Sequence, residues 1–401
     1  MEEAFARKFA IVGFGMVTSR RLGVTGRALE VEAARQAIAD AGLKRTDIDG
    51  AIELRRSGGS GERVWWSDAF PRVMGLPVKF YFTVGRGGAL ISLGIMAAAK
   101  FLELGIAQYV VLAGAVTDWT HSQQAKEKTK GHRGMGRVVE KEGYWGRPFG
   151  DLRAVSHHSF FASRHMHVFG TTSRQFGAIA VAQRKWAQMN PLAQMYGRPM
   201  TIEDHQQSPV FVYPYHLLDM CQISDGAVAV VLTTADRAKD CPKKPIYILG
   251  VGFGEAMERL WWEKENYTRL AVETAKEQAF RQAGITLKDV DLAQLYDCFT
   301  GEVLFQLEDY GWCKKGEGGP FAEEGHLEPG GDLPINTSGG LLSAYHFGDL
   351  TGLSEAIIQL RGEAGERQVK EARICLVTGH GGEILSPGMC SIHTSLVLGR
   401  E

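Results

Sequence analysis

Histidine and cysteine side chains are the groups whose types and spacing first suggest chemistry in this 401-residue chain. Four of the twelve histidines, His157, His158, His165 and His167, resemble metal ligands by number alone. Their segment has no carboxylate or cysteine at the spacing of a metal site. The six cysteines form no C-x-x-C pair and are too few for a disulfide framework. The sequence therefore predicts reduced thiols and no metal.

Other patterns exclude several classes of function. The net charge of −1 gives no electrostatic reason to expect nucleic acid or an acidic membrane as a partner. The glycine patterns G-F-G-M (13–16) and G-V-G-F-G (250–254) lack the spacing and the later acid of a dinucleotide site. The chain starts with acidic residues instead of a signal peptide, and no apolar run reaches membrane-spanning length. A cytoplasmic protein is expected.

An internal repeat shows which elements must position the functional groups. Residues 36–51 read Q-A-I-A-D-A-G-L-K-R-T-D-I-D-G-A, and residues 278–293 read Q-A-F-R-Q-A-G-I-T-L-K-D-V-D-L-A. The two segments are 242 positions apart and share identical residues, among them Gln36/Gln278, Gly42/Gly284 and Asp49/Asp291. The repeat predicts a duplicated α/β protein.

Each half begins with a strand and an amphipathic helix. The predicted strands are 9–16 and 246–252, and the predicted helices 28–41 and 267–283 end at glycines. Residues 107–115 and 372–380 are matching buried strands, each with glycine as its second-last residue. The stretch 89–104 is apolar on nearly every face, as is typical of a helix between layers. A second helical stretch is expected from about 340 to 362.

An insertion of different composition separates the halves at about 117–215. It is rich in His, Tyr, Phe, Lys and Gly, and it contains one clear helix, 173–188, with Thr171-Thr172-Ser173 at its start. Long insertions in compact folds are usually covers or binding loops. We therefore expect this segment to contribute to a binding site.

Three motifs carry a resemblance to a known family. They are D-M-C-Q-I-S-D-G-A-V-A-V-V-L-T-T (219–234), L-Y-D-C-F-T (295–300) and N-T-S-G-G-L-L-S-A-Y-H-F-G-D-L-T-G (336–352). Together with the repeat, the chain resembles the thiolase superfamily, most closely its sterol-carrier-protein-type or "lipid-transfer protein" branch. The resemblance implies an α/β thiolase fold: a duplicated, five-layered αβαβα arrangement of two similar five-stranded halves.

The resemblance also implies the domain boundaries and the site that they form. Residues 1–116 with 216–245 would form the first half, residues 246–401 the second half, and residues 117–215 a loop domain over an acyl-CoA site. The nucleophilic cysteine of thiolases would fall near Gly88–Ala89, and the second one at Gly379 in T-G-H-G-G (378–382). The chain has no cysteine before Cys221, so the usual acyl-enzyme route is closed.

Several groups of the family site are retained. His346 matches the histidine that binds the thioester oxygen, and the backbone N–H groups of Gly88, Ala89 and Gly381 would add donors. Tyr296 and Tyr345 match two positions that face one pocket. A branch of steroid side-chain aldolases similarly lacks the cysteines and has both tyrosines, which implies an acid–base pair. Asp297 and His380 are expected to be supporting residues.

The predicted function is retro-aldol cleavage of a β-hydroxyacyl-CoA, with coenzyme A only as part of the substrate and no covalently bound cofactor. Two alternatives remain open: a cysteine-less thiolase that uses free CoA on a β-ketoacyl-CoA, and a non-catalytic acyl-CoA or lipid-binding protein. Steroid, aromatic and branched acyl groups are all possible substrates. The resemblance further implies a homodimer and a small zinc-ribbon/OB-fold subunit that completes a hetero-oligomer.

Two surface patterns stay ambiguous in sequence. The basic run of Lys126, Lys128, Lys130, His132 and Arg133 is either a solvated loop face or a contact for CoA phosphates. The pairs Trp65-Trp66 and Trp261-Trp262 would line either a bulky acyl pocket or a partner surface.

Overall fold

A computed structural model describes residues 6–19, 23–55, 68–85, 87–128, 154–255, 268–381 and 392–400. Several residues of interest in the sequence lie outside these ranges: both tryptophan pairs, Lys130, His132, Arg133 and Cys390. None of the helices within the described ranges is long and apolar enough to cross a membrane.

Nine of the described strands form one sheet, and a two-stranded hairpin lies apart from it. The strands are β1 (Phe9–Ser19), β2 (Gly50–Leu54), β3 (Phe80–Val84), β4 (Val110–Thr117), β5 (Val210–Val212), β6 (Tyr215–His216), β7 (Asp225–Thr234), β8 (Ile246–Glu255), β9 (Leu292–Gln294), β10 (Ile374–Gly381) and β11 (Ile392–Gly399). The order β3-β2-β4-β7-β1-β8-β11-β10-β9 joins the two halves where β1 pairs with β8.

The described helices cover both faces of this sheet and extend into the insertion. They are α1 (Gly26–Asp40), α2 (Phe70–Val73), α3 (Ile91–Glu103), α4 (Asp118–Lys128), α5 (Ala154–Phe169), α6 (Ser173–Ala187), α7 (Ile202–Gln207), α8 (Ala235–Ala238), α9 (Val272–Ala283), α10 (Thr300–Tyr310), α11 (Gly318–Glu323) and α12 (Asp349–Arg361). α6 begins at Thr172 with the expected side-chain cap, because Thr172 and Gln175 bond each other's backbone N–H groups.

The repeated residues perform the same structural tasks in both halves. Gln36 accepts a hydrogen bond from the N–H of Met16 at 3.2 Å, and Gln278 accepts one from Phe253 at 3.0 Å. The carboxylate of Asp49 accepts the N–H of Tyr109 at 3.0 Å. Its counterpart Asp291 accepts the N–H groups that begin β10. The identities in the repeat therefore hold a helix or a loop against its neighbouring strand.

Glycines in both halves let a helix lie directly on a strand. A Cβ at Gly13 would lie 2.1 Å from the carbonyl oxygen of Ala37 on α1. A Cβ at Gly250 would lie 2.0 Å from the carbonyl oxygen of Ala279 on α9, at the same place in the second half. Any larger residue would force helix and sheet apart.

The outer edges of the halves differ. The first half has five strands, whereas the second has four described strands and one isolated bridge between Ala293 and Ile335. Pro334 lacks an N–H, and Asn336 has a positive φ of 47°, so a longer strand cannot form around Ile335. The fifth strand expected in the second half is therefore reduced to a single bridge.

Two buried helices of equal length lie between the layers. α3 is shorter than the predicted 89–104, because the turn at 87–90 is not helical. The predicted helical stretch 340–362 is divided into a π-helical turn, Gly340–Ala344, and α12. The break between them carries Tyr345, His346 and Phe347.

Candidate active site

Tyr296 follows the end of β9 and is held through its backbone. Its N–H donates to the Thr378 hydroxyl at 2.8 Å, and its carbonyl accepts from the Gln306 side chain at 2.8 Å. The hydroxyl of Thr378 in turn donates to Gln306 at 2.6 Å. Only 7% of Tyr296 is exposed. The closed ring of hydrogen bonds fixes where the phenol points.

His346 lies beside this phenol. Its Nε2 is 3.5 Å from the Tyr296 hydroxyl, and its backbone N–H donates to the Ser224 hydroxyl at 2.9 Å. A Cβ at Gly226 would lie 2.2 Å from the Phe347 ring. The S-D-G-A motif (224–227) therefore has a physical role: it supports the segment that presents His346.

The Tyr296 phenol fills the space beside Gly88, one of the two residues at which the first thiolase cysteine is expected. A Cβ built on Gly88 would lie 2.3 Å from the Tyr296 oxygen and 2.4 Å from its Cζ. A Cβ at Gly379 would lie 2.5 Å from the Thr394 hydroxyl and 2.8 Å from the Gly88 carbonyl. A side chain at Gly88 or at Gly379 would therefore meet neighbouring atoms.

Cys298 lies near the site but is not suited to replace the missing thiols. Burial raises the pKa of its thiol well above the usual range, more than nearby His158 lowers it. A thiol that keeps its proton is a poor nucleophile.

Tyr345, which the sequence led us to expect at the site beside Tyr296, packs against Phe347 in the structure. Tyr345 is extended, with φ −157° and ψ 154°, so its side chain and that of His346 leave the backbone on opposite sides. Its ring stacks on Phe347 with centroids 4.8 Å apart. Burial raises the pKa of this phenol to about 12, with Glu355 adding to the effect. Tyr345 therefore lies in the core behind the site and keeps its proton.

The residues expected to supply backbone donors lie near the site, and a carboxylate lies at the start of the neighbouring helix α3. Gly88 pairs with His380, whose N–H donates to the Gly88 carbonyl at 3.2 Å. Gly381 ends β10 and pairs with Ile392. The N–H of Ile91 at the start of α3 donates to Asp349 at 2.8 Å. This carboxylate from α12 occupies the N-terminal end of α3, which directly follows the expected donors Gly88 and Ala89. The donor roles of Gly88, Ala89 and Gly381 remain predictions.

Asp297 supports the turn before His346. Its carboxylate accepts N–H groups from Leu341 at 2.9 Å and Leu342 at 3.3 Å. Complete burial raises its pKa to about 7, against the effect of these hydrogen bonds. A cavity with room for about one water lies beside Tyr296 and Asp297. The supporting role expected for Asp297 agrees with these contacts.

A buried cluster adjoins Tyr296, and of its members the sequence named only His380 as a supporting residue. Nδ1 of His158 lies 2.5 Å from one oxygen of Glu302, and Nε2 of His380 lies 3.4 Å from the other. The rings of His380 and Tyr296 have centroids 6.1 Å apart. His158 and His165 are seven residues apart on α5 and therefore share a face, while Glu302 and Glu308 lie on α10. That spacing was the signal available in the sequence.

The same three side chains are a set that could hold a metal, since their ligand atoms all lie within 4.8 Å of one another. Two imidazoles and a carboxylate suit several divalent metals. Donors bound to one zinc ion at ~2.1 Å stand roughly 3.4 Å apart in a tetrahedral site. The 2.5 Å between His158 and Glu302 is instead a hydrogen-bond distance. We interpret the cluster as a hydrogen-bonded pair of His158 and Glu302, with His380 within ion-pair distance of the same carboxylate.

The other histidines of this segment do not join the cluster. His165 bonds Glu308 at 2.9 Å and the Thr171 hydroxyl at 2.8 Å. His157 is buried and lies near the Phe160 ring, and His167 is exposed. Of the four histidines, His158 and His165 therefore contact carboxylates of α10, and only His158 reaches Glu302.

Comparison with known proteins gives matches along the whole chain. Residues 255–400 match the family described as Thiolase C-terminal domain-like. A steroid side-chain-cleaving aldolase of Thermomonospora curvata is 35% identical over 93% of this chain and 95% of its own length. A 17-hydroxy-3-oxo-4-pregnene-20-carboxyl-CoA lyase of Mycobacterium tuberculosis is 34% identical over 93% and 96%. The solved structure of an Ltp2-ChsH2(DUF35) aldolase aligns with a TM-score of 0.84 at 33% identity, covering 98% of both chains.

Proposed function

The chain belongs to the thiolase superfamily, and on this premise we propose that it cleaves a carbon–carbon bond of a β-hydroxyacyl-CoA by a retro-aldol reaction. The observation that carries the proposal is the position of the Tyr296 phenol, which fills the space against Gly88, where the resemblance implies the first thiolase cysteine at Gly88 or Ala89. A retro-aldol reaction needs proton transfer and a site for enolate charge, but no acyl-enzyme. The aldolase and lyase names of the relatives support this reaction class.

The reaction assigns a task to each group near Tyr296. A base takes the proton of the β-hydroxyl, the bond between Cα and Cβ breaks, and its electron pair forms the thioester enolate. The β-carbon leaves as a ketone or aldehyde, and the enolate takes a proton at Cα. We assign the proton transfer to Tyr296 and the binding of the enolate oxygen to His346. Their 3.5 Å separation allows both groups to reach one substrate.

Tyr345 enters the proposal differently from Tyr296. The resemblance predicts that it is the second acid–base residue, whereas its contacts with Phe347 support a structural role. We therefore assign the proton transfers to Tyr296 and treat the participation of Tyr345 as a prediction that a Tyr345→Phe variant tests.

We also propose a bulky acyl-CoA, with a steroid side chain as the first candidate, because the relatives are named for steroid substrates. The domain boundaries predicted from the sequence belong to the same proposal, with residues 117–215 as the cover of the acyl group. Assaying the β-hydroxyacyl-CoA esters of steroid, aromatic and branched acids side by side would identify the class of acyl group.

A partner subunit is the second part of the proposal. The solved relative, an Ltp2-ChsH2(DUF35) aldolase, is by its name an assembly with a DUF35 protein. We propose that this chain forms a homodimer and binds a small zinc-ribbon/OB-fold subunit of that kind. Co-expression with such a subunit should yield a stable complex and raise activity. Full turnover by the chain alone would contradict the need for it.

One set of incubations tests the reaction. The protein receives a β-hydroxyacyl-CoA or the matching β-ketoacyl-CoA, each with and without free CoA. The proposal predicts a ketone or aldehyde from the hydroxy ester, at a rate that does not depend on free CoA. Cleavage of only the keto ester, with consumption of CoA, would instead indicate a cysteine-less thiolase. Tight binding of both esters without turnover would indicate a binding protein.

A further inference from the structure

Glu302 lies between two imidazoles in the most buried part of the site. One carboxylate oxygen is 2.5 Å from Nδ1 of His158, and the other is 3.4 Å from Nε2 of His380. All three side chains are at least 99% buried. They come from α5, α10 and β10, so the fold brings them together from three distant parts of the chain.

A second pair of the same kind shows what a purely structural contact looks like here. His165 on α5 bonds Glu308 on α10 at 2.9 Å, and it ties together the two helices that His158 and Glu302 also join. The partners of Glu308 beyond His165 are Lys315 and the N–H of Gly318, away from Tyr296. Glu302 differs because its second oxygen faces His380, whose ring adjoins Tyr296.

The charges in this arrangement favour one protonation state of each neighbouring group. A carboxylate in a low-dielectric site favours the protonated form of an adjacent imidazole. A positive imidazolium about 6 Å from a phenol favours the phenolate. Two more imidazoles face His380: that of His158, which itself bonds Glu302, with ring centroids 5.6 Å apart, and that of His393 on β11, with centroids 6.3 Å apart. Burial, with His380 adding to it, holds the pKa of His393 well below its usual range, so His393 adds no competing charge.

We propose that Glu302 is a positioning residue that keeps His380 protonated, and that the resulting imidazolium favours the phenolate form of Tyr296. The inference rests on the proposed function, in which Tyr296 takes the β-hydroxyl proton. The phenolate accepts that proton as the Cα–Cβ bond breaks, and the same proton is available for Cα of the enolate. His380 keeps its own proton throughout, so no other co-reactant is needed.

The test compares Glu302→Gln with Glu308→Gln. Both changes remove a buried carboxylate that bonds a histidine of α5, and both should lower stability. Only Glu302→Gln should move the ascending limb of the pH profile of kcat/KM, by about one pH unit or more toward high pH, with a fall of at least roughly tenfold at pH 7. Glu308→Gln should leave the position of that limb unchanged.

A second variant keeps the test decisive if Glu302→Gln does not fold. His380→Gln should shift the same limb by a similar amount, and the double variant should shift it no further. Unshifted limbs in folded variants would overturn the inference. So would one equivalent of bound transition metal that Glu302→Gln abolishes, because the imidazoles would then be ligands.

A titration without substrate separates this inference from the proposed function. The ultraviolet tyrosinate signal of the wild type minus that of Tyr296→Phe reports the ionisation of Tyr296. It should appear at lower pH in the wild-type background than in the Glu302→Gln background. If this shift is present while no β-hydroxyacyl-CoA is cleaved, the proposed function fails and the inference stands. If cleavage occurs without the shift, the inference alone fails.

Discussion

The two halves of the chain share a scaffold but not the side chains at equivalent positions. The repeat offset of 242 makes Leu54 the counterpart of Tyr296. The pairing of Gly50 with Val110 and of Leu292 with Cys375 makes Ala115 the counterpart of His380. The equal lengths of α3 and α12 align Gly88 with His346. Polar, titratable groups therefore stand in the second half where the first has apolar side chains or glycine.

This difference shows that the two halves of the duplicated fold contribute different parts of the site. The first half contributes space at Gly88, and the second half contributes the phenol that occupies this space. Leu54 instead packs against α3, where a Cβ at Gly94 would meet its side chain at 2.8 Å. The residues kept identical by the repeat, such as Gln36 and Gln278, maintain the scaffold in both halves.

The largest expected effect comes from removing the phenol hydroxyl of the second half. Tyr296→Phe should lower kcat by roughly 10²–10⁴-fold, because general acid–base catalysis by one positioned group is worth that much. Its unfolding midpoint should change little, since the ring remains. Steady-state kinetics with a β-hydroxyacyl-CoA and a denaturant titration measure the two quantities.

Tyr345→Phe is the matched control for this change. It removes a hydroxyl of the same kind 49 positions further along the chain, from a phenol that stacks on Phe347. We expect a loss of about tenfold or less. A loss as large as that of Tyr296→Phe would show that both phenols take part in the chemistry, as the family resemblance implies.

Filling the space at Gly88 should lower kcat nearly as much as removing the phenol hydroxyl. Gly88→Ala places a methyl group 2.3 Å from the Tyr296 oxygen, so the phenol must move. We expect a fall in kcat of roughly 10²-fold, because misplacement by about 1 Å costs that much. Gly26→Ala, whose Cβ would meet its nearest neighbour at 3.7 Å, is the control in the same half.

A double variant decides whether Gly88 acts through Tyr296. The activity of Gly88→Ala with Tyr296→Phe should equal that of Tyr296→Phe alone, because the displaced hydroxyl is already absent. Additive losses would show that Gly88 has a separate role.

Asp297, whose first-half counterpart is Arg55, should make the unfolding free energy depend on pH. Burial raises the pKa of Asp297 to about 7, above its unfolded value of 3.8. The folded state therefore binds the proton more tightly. The resulting stabilisation is complete below about pH 3.8 and is lost as the pH rises through about 7.

We expect the wild type to lose roughly 2–4 kcal/mol relative to Asp297→Asn between pH 4 and pH 8. Urea unfolding of both proteins across this range measures the difference, which cancels the titration of groups that they share. Parallel stability curves would place the Asp297 pKa near its ordinary value and contradict the effect of burial.

The smallest expected effects are equal in the two halves. Gln36→Ala and Gln278→Ala each remove one hydrogen bond that a strand N–H donates to the side-chain oxygen of a helix residue. Each should cost about 1 kcal/mol of unfolding free energy and leave kcat unchanged. Denaturant midpoints and activities of both variants provide the comparison. A strong activity loss in one variant alone would mean that the scaffolds differ in function too.

The scaffold was predictable from the sequence for a clear physical reason. Gln36, Asp49 and their counterparts bond backbone groups nearby in the fold, so their spacing survives duplication intact. Gly42 and Gly284 end α1 and α9 with positive φ, as their positions indicated. The thiolase motifs likewise identified Tyr296 and His346, which the structure brings together.

The remaining parts of the site depend on contacts between distant residues. His158, Glu302 and His380 meet only after α5, α10 and β10 pack. The role of Tyr345 stays a prediction, because a motif gives its position but not the extended backbone that sends its side chain to the opposite side from His346. Asp349 was missed because the helix end that it binds belongs to the other half.

Intact-protein mass spectrometry during turnover tests the central claim most directly. The protein is mixed with an excess of a cleavable β-hydroxyacyl-CoA, quenched in acid within the first turnovers and weighed. Our account predicts the unmodified mass at every time, because the phenol and imidazole of the second half handle protons and charge without forming a bond to the acyl group. A protein heavier by the acyl fragment would contradict it.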